Sequence, residues 1–452
     1  MSLQSIIFSS RTVLSDLSTL LGSSEGTTLA DGNSACTDQS TGADHQAGSS
    51  PSLQNIPRIW SLLFEKTEPT PTLPLGPLRL VPGKLIYFKA SHFELIRSKD
   101  STDSPRVGEG ACYIVEKRRL SALHGGSVIA VKTPKLRGSA SSNLAASLVL
   151  RELQILTHPP LQANDNIASI IGYYSSQVID DSSLGLNLVT DLASHGTLGD
   201  YLRRPLIEGR RPHALTTKLG LLHDVASGLE ALHACGIVQG DVKTENVLVF
   251  DAKDDKYGQV TAKLSDFGHA ITFHKDKLDE KKLYLGTLVL NAPEARHRDA
   301  VAARNLWRCD VFSYGLVIWE TIIDGARYFS AVDDPALQSG VTDWLDSLPQ
   351  DEMLRLATTS LNQIYGSLER PLLDTTERIL KASLRDDSSN RKEVKDITRI
   401  LRRQTFLAAI ARCVLRLSRA CRTSRTNFNC KCSICRQSYS GPTICIRWGS
   451  LP

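Results

Sequence analysis

No apolar run in this chain reaches the roughly 18 residues that a membrane-crossing helix needs, so a membrane-embedded protein is not expected. The opening stretch, MSLQSIIFSSRTVLSDLSTLLG, is apolar only in patches. It lacks a basic start and carries Asp16, which argues against a secretory signal. Ten cysteines in 452 residues are too few for a disulfide scaffold, and in a reducing compartment most would stay as thiols. Large apolar side chains are nearly missing from residues 22–57, which therefore cannot offset the entropy of ordering and are expected to be disordered. From Arg402 to Pro452 there are no acidic groups, against nine Arg and one Lys. The net charge of +5 thus combines a mildly acidic body with a cationic tail. There is no internal repeat. The expectation is an intracellular protein, monomeric, in the cytoplasm or also in the nucleus.

What is present is a long block of ordered texture. The chain length suits two or three domains, or one large bilobal unit with tails. Residues 67–83, rich in Pro, Thr and Leu, read as an extended connector. The expected organisation is an N-terminal extension over 1–91, a folded body over 92–404 and a basic, Cys-rich tail over 405–452. Within the body, SVIAVKTP (127–134) and LNLVTDL (186–192) read as strands. SLVLRELQIL (147–156) reads as a helix, and TTKLGLLHDVASGLEALHACG (216–236) as an amphipathic one stopped by Gly236. DVFSYGLVIWETII (310–323) is apolar nearly all round and predicts a central buried helix. Strands precede helices, so the fold class is α+β, a small β-rich lobe followed by a larger helical one.

A polar loop, IVQGDVKTENVLVF (237–250), sits at the seam between two apolar runs. It resembles the catalytic loop of protein kinases, H-R-D-x-K-x-x-N, through Asp241, Lys243 and Asn246. LSDFGHA (264–270) adds Asp266, Phe267 and Gly268, twenty-five residues after Asp241, with a β-hairpin expected between. Upstream, IAVK places Ala130 and Lys132 on one strand face, and Glu152 follows on a helix. RVGEGACYIV supplies Gly108 and Gly110 of G-x-G-x-x-G-x-V, with Tyr113 at the third glycine. GTLVLNAPEA (286–295) resembles the end of the activation segment, with Leu290 replacing a Tyr. Taken alone, each piece could be something plainer: a solvated loop, a hairpin turn, or a surface Lys–Glu pair worth under about 1 kcal/mol.

Together, and in this order, they resemble the protein kinase superfamily, Ser/Thr-directed, with a bilobal fold. The resemblance implies ATP and Mg²⁺ as cofactors, a protein as substrate, and roles for named residues. Asp241 would accept the substrate hydroxyl, Lys243 would neutralise the moving phosphoryl group, and Asn246 and Asp266 would hold metal. Lys132, paired with Glu152, would hold the nucleotide phosphates under a lid made by Gly108 and Gly110. Val115 and Leu248 would sandwich the adenine beside Ala130, with Thr190 at the back of its pocket. The backbone from Asp191 to Ala193 would line the pocket edge. Glu294 and Arg391 would form a structural ion pair. Asp310 would brace the catalytic loop, or would be an ordinary helix N-cap. Lys243 and Thr287, which would bond the loop directly, match the Ser/Thr-directed pattern.

The departures define the alternative. Gln239 and Gly240 replace the usual His and Arg before Asp241. Gln keeps a donor and an acceptor but not a ring; Gly cannot clamp a phosphorylated segment. Activity is therefore expected not to depend on phosphorylation of Thr272 or Tyr284. The competing function is a pseudokinase, a nucleotide-binding or scaffolding module. In the tail, TFLAAIARCVLRLSRACR (405–422) has an apolar face and a basic face. It either completes the core or contacts a membrane surface or a partner groove. Cys430, Cys432, Cys435 and Cys445 lack the paired spacing of a zinc knuckle, and a disordered basic end touching nucleic acid is the other expectation.

Overall fold

The computed structural model describes residues 85–94, 106–110, 113–122, 125–135, 148–149, 151–175, 186–252, 260–273, 277–366 and 370–402. The expected disordered extension, the Pro-rich connector, the basic amphipathic segment and the C-terminal cysteines lie outside those residues.

The first lobe is built on a seven-stranded sheet. Its strands are β1 (Ile86–Phe88), β2 (Phe93–Glu94), β3 (Arg106–Glu109), β4 (Tyr113–Leu120), β5 (Val128–Pro134), β6 (Ile170–Ser175) and β7 (Leu186–Asp191). They run in the order β1-β6-β7-β5-β4-β2, with β3 paired to β4. The sheet begins at Ile86, ahead of the expected start of the body at residue 92, because β1 pairs in parallel with β6. That pairing spans more than eighty residues of sequence and leaves no local pattern.

Alternation gives the sheet two faces. Ile129, Val131 and Val189 pack with Phe88, Leu120 and Tyr174 on one of them. Directly opposed residues of antiparallel strands share a face. The register Val115↔Lys132↔Leu188 and Lys117↔Ala130↔Thr190 therefore sets those side chains on the other, and Tyr113, two residues before Val115, joins them. A helix follows as expected, α1, described at 148–149 and 151–156.

The second lobe is helical. It contains α2 (Leu198–Ile207), α3 (Leu215–Ala234), α4 (Ala303–Ile322), α5 (Glu352–Tyr365) and α6 (Arg370–Ser383). Gly236 stops α3 with a φ of 72°, where a side chain would be strained. α4 is buried along nearly its whole length, and Tyr314 ties it to α3 through a 2.8 Å bond to the Leu222 carbonyl. Where the sequence suggested a start at Asp310, α4 begins at Ala303, so Asp310 lies inside the helix and is no N-cap. The polar residues Arg304, Asn305 and Arg308 hid that first turn from a search for apolar periodicity.

Two loops are held together between the lobes. The first runs from β8 (Ile237–Val238) to β9 (Val247–Asp251), and the second from β10 (Val260–Leu264) to β11 (Ile271–Thr272). β9 pairs antiparallel with β10, as the expected hairpin requires, and β8 pairs with β11. Both ends of the two loops are thereby clamped side by side. One loop carries Asp241, Lys243 and Asn246, and the other carries Asp266.

Candidate active site

Asp241 is the best-restrained side chain of the cleft. One carboxylate oxygen accepts from the Thr287 amide at 2.9 Å and the Thr287 hydroxyl at 2.8 Å. The other accepts from Lys243 Nζ at 2.5 Å and from Asn246 Nδ2 at 3.2 Å. Burial pushes its pKa upward, but Lys243, His269 and these hydrogen bonds overcome burial and hold Asp241 below the ordinary carboxylate range. It is therefore an anion at neutral pH. Lys243 is shifted the other way: burial disfavours its charge, and Asp241, Asp266 and Glu245 outweigh burial. Thr287 also accepts from Lys243 at 3.0 Å, so the direct bond expected between Thr287 and the loop is present.

Asn246 donates to the Asp241 backbone carbonyl at 2.8 Å, and its own carbonyl accepts from Ser265 through N at 2.8 Å and Oγ at 3.0 Å. Asp266 follows immediately, at a φ of 58° that turns the chain sharply. Its Oδ1 is buried and has no hydrogen-bond partner among the described residues. A buried carboxylate oxygen left bare costs free energy unless a cation meets it. One carboxylate with one amide oxygen is a donor set that suits Mg²⁺, which takes few protein ligands and completes its shell with phosphate and water. The residues present therefore fit the implied metal.

On the opposite side of the cleft, Lys132 bonds Glu152 through Nζ and Oε1. Their side chains are 13% and 2% exposed, so this is not the surface pair that the bare sequence allowed. Burial drives Glu152 upward, Lys132 pulls it down, and Asp266 adds repulsion. The charge of Asp266 thus reaches Glu152 in the first lobe and Lys243 in the second, which puts all of these groups around one cleft. Arg151 of α1 reinforces the closure by donating to the Ala270 carbonyl at 2.9 Å.

The expected nucleotide residues line the same region. Val115, Ala130, Lys132 and Thr190 share the inner face of the sheet. Asp191 and Ala193 lie on the connection between the lobes, which passes β9 through His195–Val249 and Val249–Gly196 bonds of 3.0 and 2.9 Å, beside Leu248. A Cβ added at Gly108 would meet nothing within 4 Å, and one at Gly110 would meet only the Tyr113 carbonyl at 4.0 Å, so space is open above both. Phe267, next to Asp266 in the chain, is fully buried.

The supporting contacts agree with the expected architecture, with one correction. Asp310 accepts from the amides of Gln239 at 2.7 Å and Gly240 at 3.0 Å, bracing the loop from inside α4. Glu294 and Arg391 form a two-pronged pair at 2.6 and 2.9 Å. Tyr284, considered above as a phosphorylation site, is 1% exposed and donates to Asp310 at 2.9 Å, so it is part of the brace. His233, which also bonds Asp310 at 2.8 Å, and His269, one of the neighbours that help to lower Asp241, were missed by the sequence reading. The position of His269 directly after Phe267 and Gly268 was the signal available for one of them.

These features define a class: a two-lobed domain with a cation–carboxylate cleft at its waist, suited to holding a metal-bound polyphosphate. The chain belongs to the protein kinase domain family, whose pattern it matches over residues 102–400. It is 28% identical over 250 residues to a calcium and calcium/calmodulin-dependent serine/threonine-protein kinase of Oryza sativa subsp. japonica, covering 53% of this chain and 45% of that one. It is 27% identical over 297 residues to fibroblast growth factor receptor 2 of Dugesia japonica, covering 61% and 31%. The leucine-rich repeat receptor-like protein kinase PXC2 of Arabidopsis thaliana is 28% identical over 263 residues, covering 57% and 24%. The matches span less than half of each of these relatives. No helix among the described residues is long and apolar enough to cross a membrane.

Proposed function

We propose that this cleft transfers the γ-phosphoryl group of ATP to Ser or Thr hydroxyls of protein substrates. The observation that carries the proposal is Asp241 held between Thr287 and Lys243, beside the buried, unpartnered Oδ1 of Asp266 on the adjoining loop. Asp241, an anion fixed by Thr287 and Lys243, is suited to orient an incoming hydroxyl and accept its proton late in the reaction. Lys243, kept protonated, stands beside it to offset charge on the moving group. Lys132, held by Glu152, is suited to the phosphates. Asp266 and Asn246 would hold Mg²⁺, which when bound neutralises phosphate charge. The Ser/Thr preference rests on Lys243 and Thr287, and on the printed name of the rice relative.

A second reading, a pseudokinase acting as a nucleotide-binding or scaffolding module, is favoured by one observation. The ring of Tyr113 lies over Lys132, with Nζ 4.4 Å from its centroid. Phosphate transfer from ATP to a Ser/Thr peptide library by the full chain separates the two. The expected result is Mg²⁺-dependent transfer that falls by about 100-fold or more in Asp241→Asn. Absence of transfer by the wild-type chain gives the second reading precedence.

A further inference from the structure

Tyr113 is 2% exposed. It opens β4 opposite Pro134, on the same inner face as Val115 and Lys132. Its ring meets the Lys132 ammonium at 4.4 Å, on the side of the cleft where Lys132 bonds Glu152. A cation over a desolvated aromatic face gains about 0.5–2 kcal/mol. The family pattern has glycine here, and glycine would leave that space to a ligand. On the reading of the cleft as a nucleotide site, Lys132 is the ammonium that the phosphates must reach. The aromatic ring and a phosphate cannot both take the same face of Nζ.

We propose that Tyr113 gates the phosphate end of the cleft, occupying Lys132 so that a nucleotide gains little from its phosphates until the ring is displaced. The adenine end is untouched by this contact. Ala130, Thr190 and Leu248, expected at the base, take no part in the ring–ammonium contact. Base affinity and phosphate affinity are therefore uncoupled in this chain. Relief of the gate requires only a rotation of the Tyr113 side chain, the backbone there being held by a 2.9 Å bond from the Gly110 amide to the Tyr113 carbonyl.

The test is to titrate the full chain with adenosine and with ADP, both without divalent metal, and to take the ratio of the two affinities. In the wild type the ratio is expected to stay within about threefold, and in Tyr113→Gly to rise by about tenfold. The ratio is internal to each protein, so general destabilisation of the variant cancels. Tyr113→Phe, which keeps the ring, is expected to behave as wild type. A wild-type preference for ADP of about thirtyfold or more overturns the gate, even if the glycine variant does not fold. An unchanged ratio in a folded Tyr113→Gly overturns it too. Failure of every protein to bind adenosine overturns the nucleotide reading of the cleft, and the gate falls with it.

Discussion

Gln239 links the two loops of the cleft: its Nε2 donates to the Asp266 carbonyl at 3.1 Å, and its Oε1 accepts from the Asp241 amide at 2.6 Å. The side chain is fully buried. The residue that the family pattern would make His therefore fastens one loop to the other with a donor and an acceptor alone. Gln239→Leu leaves a buried N–H and a buried carbonyl without these partners, each costing about 1–3 kcal/mol. The expected loss of unfolding free energy is about 2 kcal/mol or more, read from the urea midpoint at unchanged slope. Gln239→His, which retains one donor and one acceptor, should lose less. A Leu variant within about 0.5 kcal/mol of wild type would show that these bonds are not structural.

Gly240 is the second departure, and its backbone explains why it is tolerated. Its φ is 81°, and an added Cβ would lie 2.2 Å from the His269 carbonyl oxygen. The second loop has moved into the space that a side chain at this position would need. Gly240→Ala should therefore cost more than about 2 kcal/mol, the left-handed backbone alone accounting for about 1–2. Gly240→Arg, although it restores the family residue, should destabilise and not activate. An Arg variant as stable as wild type by chemical denaturation, and more active, refutes this.

How much of this was legible in the sequence follows from the range of the signals. The strand-then-helix order and the spacing of Lys132, Glu152, Asp241, Asn246 and Asp266 are local patterns, and the structure brings those residues to one cleft. The parallel pairing of β1 with β6 is not local, and nothing near Ile86 announces it. Tyr284 read as a candidate hydroxyl because sequence cannot report that Asp310 is aimed at it from α4. Tyr113 was visible as a missing glycine, but only strand register shows that its ring shares a face with Lys132.

The Lys132–Glu152 pair carries a pH signature. Glu152 has its pKa raised from the ordinary value, chiefly by burial and against the pull of Lys132. For an acid shifted upward in the folded state, the stability contribution is complete below its unfolded-state value. It is lost as pH rises through the folded-state value. Removing the cation in Lys132→Met strips away the opposing pull and widens that window. Unfolding free energy of Lys132→Met should fall as pH rises above the ordinary carboxylate range, by up to roughly 1.4 kcal/mol per unit. The doubly substituted Lys132→Met/Glu152→Gln should be flat over the same range. Parallel profiles for the single and double variants would show that Glu152 is not the titrating group.

Thr287 separates holding a nucleotide from turning it over. Its hydroxyl touches Asp241 Oδ1 at 2.8 Å and Lys243 at 3.0 Å, both on the catalytic-loop side of the cleft. Thr287→Val keeps the shape and the amide bond to Asp241 but removes the hydroxyl from between the two charges. Asp241 Oδ1 then keeps only the amide bond from residue 287, and Lys243 has one fewer acceptor. Loss of a hydrogen bond to a charged group is worth about 1.5–3 kcal/mol, which in a barrier is about tenfold or more. Turnover on a peptide should fall by that factor while the KM for ATP stays constant, because the groups expected to bind nucleotide are unaltered. Thr287→Ser should recover most of the turnover, since the hydroxyl alone is at issue. Equal losses in the Ser and Val variants would mean that the methyl group's packing, and not the bond to Asp241, sets the rate.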